Sequence, residues 1–156
     1  MGLRDGIRFR DEQTQWLVTP ERLEIVGPVQ RCSELAIRVL HDLPHTPMTA
    51  TLSVFSFDLE PSPGPPRSSI FETIRRSVPR ELTLDMTRWG IAFNHDDVRI
   101  DLVFLQSEQS RSTVSVSTTH RRSSGNAEVA SKAAERIADD LKQSRKLIER
   151  FCSLTD

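Results

Sequence analysis

The chain of 156 residues contains two cysteines and six glycines, and only three of its residues are lysines. Cys32 and Cys152 stand far apart and form no CxxC pair, so neither a disulfide framework nor a zinc knuckle has the residues it needs. Cys32 falls on the apolar face of a predicted helix and reads as a small core residue. Six glycines leave little material for a loop that cradles phosphate. No GxGxxG, GxxxxGK[ST] or GxSxG pattern occurs, so the dinucleotide, P-loop and serine-hydrolase signatures are absent. No cofactor and no catalytic residue is assigned.

Long apolar runs are missing as well. Nothing in the chain is long enough to cross a bilayer as a helix, and the opening MGLRDGIRFR lacks the apolar stretch of a signal peptide. Gly6 stands where N-myristoylation after Gly2 needs Ser or Thr. A cytoplasmic protein with no membrane partner is expected. Charge of one sign is also lacking. Residues 1–78 hold nine Arg and no Lys against ten acids, and residues 79–156 hold twelve basic residues against twelve acids. Neither half carries the basic field that nucleic acid requires, so no nucleic-acid partner is expected. The Arg-over-Lys skew points to a bacterial source of high GC content.

The residues that are present spell an α+β domain spanning 1–156, long enough to bury a core without staples. Residues 7–26 read as a β-hairpin: Gln15-Trp16-Leu17-Val18, a turn at Thr19-Pro20-Glu21-Arg22, then Leu23 and Ile25 alternating with Glu24. Gly27-Pro28 opens a helix in which Cys32, Leu35, Ala36, Val39, Leu40 and Leu43 share one face, and Pro44 and Pro47 stop it. Met48 to Val54 alternates with period two, and the phase slips at Val54-Phe55, which predicts a β-bulge or a strand covered on both faces. Residues 61–67 form a Pro-rich loop. Ser69 and Glu72 can cap a short helix over 68–77 with Ile70, Phe71 and Ile74 as its stripe.

Residues 81–120 read as a meander. Leu82, Leu84 and Met86 alternate, Trp89, Ile91 and Phe93 follow in the opposite phase, and a turn at Asn94-His95-Asp96-Asp97 leads to Val98, Ile100, Leu102 and Phe104. Val114, Val116 and Thr118 close the sheet. A long helix is then expected over 126–153. Ala130, Ala134, Ile137, Leu141, Ser144, Ile148 and Phe151 step by four and three along it, a heptad-like seam. The expected architecture is an antiparallel sheet of about six or seven strands. The N-terminal-half helix and the long C-terminal helix pack on one of its faces.

Three groups of residues were candidates for function. His95, Asp96 and Asp97, with His120 as a distant partner, have metal-ligating side chains. Their types are equally those of a turn, and no metal site is assigned. Arg75, Arg76, Arg80, Arg121 and Arg122 are candidate anion contacts if folding gathers them; otherwise they are solvated charge. Trp16 and Trp89 lie on strands, where they are either core or contact residues.

The segment Thr19 to Ile25, the helix after it, and Leu43-Pro44-His45-Thr46-Pro47-Met48-Thr49-Ala50 resemble a sporadically distributed group of uncharacterised bacterial proteins with an LPHTP-type turn. The resemblance covers about the first third of the chain and implies no activity. The order of an antiparallel sheet finished by a long helix is similar to the SecB-like chaperone fold. Read together, these features point to a non-enzymatic assembly or adaptor protein that acts through protein–protein contacts and self-associates. Its expected interaction surface is Ala130, Ala134, Ile137, Leu141, Ile148 and Phe151. The alternatives are a SecB-like chaperone for extended polypeptide and a small-molecule-binding domain.

Overall fold

A computed structural model describes residues 6–19, 21–59, 76–109 and 113–153, with side chains described as far as residue 151. It is α+β, as the periodicities require. Seven strands occur among the described residues: β1 (Ile7–Arg10), β2 (Gln15–Val18), β3 (Leu23–Val26), β4 (Ala50–Leu59), β5 (Met86–His95), β6 (Val98–Ser107) and β7 (Val114–Ser123). Three helices lie wholly among them: α1 (Val29–His41), α2 (Ala127–Glu135) and α3 (Ile137–Ser153). The strands divide into two antiparallel sheets, β1-β2-β3 and β4-β7-β6-β5, rather than forming one. The Pro-rich loop at 61–67 lies outside the described residues. So does most of the short helix expected at 68–77, of which residues 76 and 77 are described and helical.

The chain forms two compact units, Met1–Thr51 with Ser123–Asp140, and Leu52–Arg122 with Leu141–Asp156. In the first unit, α1 buries Leu35 and Leu40 and packs against α2, whose Ala127 and Ala130 join Leu40 in one cluster. Alanines allow that approach, and the Ser33 hydroxyl donates to the carbonyl of Ala134 at 2.8 Å. The LPHTP turn is tied to the start of α2: the N–H of Ala127 donates to the carbonyl of Thr46 at 3.0 Å. Asn126 caps α2 through its side-chain oxygen, which accepts from the Val129 N–H at 3.0 Å. Gly27 closes on the β1–β2 turn so tightly that a Cβ there would stand 2.7 Å from the Gln13 carbonyl oxygen.

In the second unit, β6 alternates as expected. Val98, Ile100, Leu102 and Phe104 are buried, and Val116, Thr118 and His120 of β7 lie beside them on the same face. Ile148 of α3 completes a cluster with Leu102, Phe104 and Val116, and Phe151 packs against it. Trp89 stacks flat on Phe104, with centroids 4.3 Å apart and planes at 6°. The β5–β6 hairpin closes through Asp96 and Asp97, with Asp96 at φ 52°. Asp tolerates that left-handed conformation.

Two expected features take another form. No bulge is needed at Val54-Phe55: β4 is one regular strand at the sheet edge, with Ser53 and Phe55 inward and Leu52 and Val54 exposed on its other face. The phase slip in the sequence is an apolar outer face giving way to an apolar inner one. The C-terminal helix is broken: α2 ends at Glu135, Arg136 is its C-cap, and α3 begins at Ile137.

Candidate functional site

The alternation of β1 places Ile7 and Phe9 on one face and Arg8 and Arg10 on the other. Directly opposed residues of antiparallel strands share a face. The register pairs Ile7 with Val18 and Phe9 with Trp16, and then Trp16 with Ile25 and Val18 with Leu23. One face of the three-stranded sheet is therefore six apolar side chains. Trp16, Leu23 and Ile25 are half-buried, whereas Ile7 is 54% exposed, Phe9 52% and Val18 38%. A contiguous apolar face of this kind departs from the scattered single exposures that are ordinary on protein surfaces.

The face is held in shape by the turn between β1 and β2. Asp11 Oδ1 accepts the backbone N–H groups of Gln13 at 2.8 Å and Thr14 at 2.6 Å, and Oδ2 accepts the Thr14 hydroxyl at 2.8 Å. The buried Thr14 hydroxyl in turn accepts the indole N–H of Trp16 at 3.0 Å. Hydrogen bonds from the Gln13 N–H, the Thr14 hydroxyl and the Thr14 N–H hold the Asp11 carboxyl below its ordinary value of 3.8. Trp16 is thereby fixed edge-on to Phe9, with centroids 6.2 Å apart.

The reverse face of the same sheet is mixed: Arg8, Arg10, Gln15 and Glu24 share it with Leu17 and Val26. Arg8 and Arg10 are both exposed, and no acid among the described residues stands at ion-pair distance from either. Arg22 pairs with Glu24 at 3.1 Å. A hollow of about 440 Å³ beside the sheet is lined by polar and apolar side chains alike, among them Arg8, Arg10, Leu17, Val26, Phe9 and Trp16. β1 is also the sheet edge: among the described residues β2 is the one strand beside it.

Part of the seam expected to contact a partner is buried within the chain. Ala130, Ala134 and Ile148 are buried within the chain itself, the two alanines in the first unit and Ile148 in the core of the second. Phe151 packs on that same core beside Phe93 and Phe104. Ile137 and Leu141 are half-buried. A heptad-like spacing marks a helix face that is covered, and here the chain's own residues cover much of it.

Of the five candidate anion contacts, the two on β7 do not share a face. Arg75 lies outside the described residues, and Arg76 and Arg80 are exposed. Arg121 and Arg122 are neighbours on β7 and so point to opposite faces. Arg121 is exposed opposite Arg99, whereas Arg122 is 4% exposed opposite Val98. They cannot grip one anion together.

His95 pairs with Asp96 at 3.2 Å on the exposed turn. His120 is enclosed, with Nε2 2.9 Å from the Ser144 hydroxyl. No group of three metal-ligating side chains occurs among the described residues. Cys32 is half-buried, its Sγ 3.9 Å from the Ile25 carbonyl, and burial raises its thiol pKa.

Sequence reasoning missed Ile7 and Phe9. The signal was the alternation Ile7-Arg8-Phe9-Arg10, a two-faced strand whose apolar side has nothing in the sequence assigned to cover it. No family model, characterised protein or solved structure matches the chain.

Proposed function

We propose that this chain is a non-enzymatic assembly or adaptor protein whose protein–protein contacts are made by the apolar face of the β1-β2-β3 sheet. The observation that carries this reading is the exposure of Ile7 and Phe9 beside a half-buried, rigidly held Trp16. Covering such a face removes apolar area from water at about 25 cal/mol per Å². Aromatic side chains fixed in place are the residues that dominate interface energetics. Self-association and the SecB-like capture of extended polypeptide both use this face, and the open edge at β1 favours the second.

The double variant Ile7→Ser, Phe9→Ser tests the reading. Both side chains are exposed, so the circular dichroism spectrum should be unchanged. Light scattering from micromolar to millimolar concentration should show lower self-association than in the wild type, or a polypeptide client should be retained less. Identical behaviour of wild type and variant in both assays would remove the face as a contact surface.

A further inference from the structure

The edge strand β1 carries more information than an apolar face alone. No strand among the described residues pairs with its outer edge, and an edge of this kind is a template for another strand. Its side chains alternate apolar and cationic, with Ile7 and Phe9 on one face, Arg8 and Arg10 on the other, and all four exposed. Alternate residues stand about 6.6 Å apart along a strand, so Arg8 and Arg10 match the spacing of alternate residues on an added strand.

A second copy of β1 is a poor occupant. In antiparallel pairing, the registers that keep the apolar face continuous set Ile7 against Phe9 and Arg8 against Arg8, or Phe9 against Phe9 and Arg8 against Arg10. Each puts arginine directly opposite arginine, which destabilises the pair. The remaining registers that overlap two or more residues of β1 place arginine across from Ile7 or Phe9 and bring charge onto the apolar face. Neither arginine has an acid at ion-pair distance among the described residues, so their charge is available to an incoming chain.

We infer that β1 accepts, by strand addition, an extended polypeptide segment in which acidic and apolar residues alternate. The acidic residues lie against Arg8 and Arg10, and the apolar ones extend the face of Ile7 and Phe9. Main-chain hydrogen bonds along the edge supply sequence-independent affinity, and the two arginines supply the choice of partner. This inference rests on the reading of the apolar face as a contact surface and adds the chemistry of what it contacts.

The test uses the full chain and two short fluorescent peptides, one alternating valine with glutamate and the other valine with lysine. Anisotropy should show the glutamate peptide binding at least about tenfold more tightly, with affinity falling as salt rises. The double variant Arg8→Glu, Arg10→Glu should reverse the preference. N-methylation of one alternate set of peptide amides should abolish binding, while methylation of the other set should not.

Equal binding of the two peptides, or tolerance of methylation on both sets, would overturn the inference. If Ile7→Ser, Phe9→Ser still weakened both peptides, the contact reading would survive that result. Should the wild type self-associate in competition with the peptide, and lose this with the arginine substitutions, the edge belongs to a second copy and the inference fails.

Discussion

The hydroxyl of Ser144 lies 2.9 Å from Nε2 of His120, and it also accepts a hydrogen bond from the hydroxyl of Thr118 at 2.7 Å. All three residues have zero exposure. A serine beside a histidine invites a nucleophilic reading, yet no substrate reaches a hydroxyl sealed between helix and sheet. The cluster instead gives the Thr118 hydroxyl and Nε2 of His120 a partner where α3 crosses a polar stretch of β7, since an unmade buried hydrogen bond is costly.

Removing that hydroxyl should therefore destabilise the protein. Ser144→Ala orphans two buried polar groups and should lower the unfolding free energy by about 1–3 kcal/mol. The better helix propensity of alanine offsets a few tenths. Urea denaturation measures this, and a midpoint equal to that of the wild type would show that Thr118 and His120 find other partners.

Ile148 distinguishes packing from partner contact on the C-terminal seam. It is buried with Leu102, Phe104 and Val116, so Ile148→Ala should cost about 2–5 kcal/mol. A surface contact residue would lose less than about 0.5 kcal/mol in the isolated chain. The size of the change in denaturant midpoint decides which role the seam plays.

Arg121 and Arg122 should respond oppositely to the same substitution. Arg121→Ala removes an exposed side chain and should stay within about 0.5 kcal/mol of wild type. Arg122→Ala removes a side chain that is 4% exposed, with its packed stem, and should cost at least about 1 kcal/mol. Comparable losses at both positions would contradict their placement on opposite faces.

Asp11 gives the β1–β2 turn a pH dependence. Its carboxyl pKa is lowered in the folded chain from the ordinary value of 3.8. Its contribution is therefore fully present above that value and is lost as pH falls through the lower, folded one. In a Trp89→Phe background, Trp16 is the sole indole and reports the turn. Its emission should shift on acidification below about pH 4, and Asp11→Asn should show the acid-side signal already at neutral pH. An acid transition that Asp11→Asn leaves unchanged would place its origin elsewhere.

Much of the local structure was legible because side-chain periodicity is a backbone property. Val98, Ile100, Leu102 and Phe104 had to share a face wherever that strand lay, and Leu35, Ala36, Val39 and Leu40 had to form one stripe on a helix. The same alternation separates Ile7 and Phe9 from Arg8 and Arg10, and Arg121 from Arg122. The α+β class follows from these local periods alone.

What covers each face was decided only by tertiary structure. Two tryptophans on strands looked alike in sequence. One stacks on Phe104 in a core, and the other stands beside exposed Phe9. The seam from Ala130 to Phe151 had the spacing of a partner surface, and the chain's own residues cover much of it. The seven strands could have made one sheet, but they made two. Periodicity states which residues must leave water together, whereas the partner they leave it with depends on residues far away in sequence.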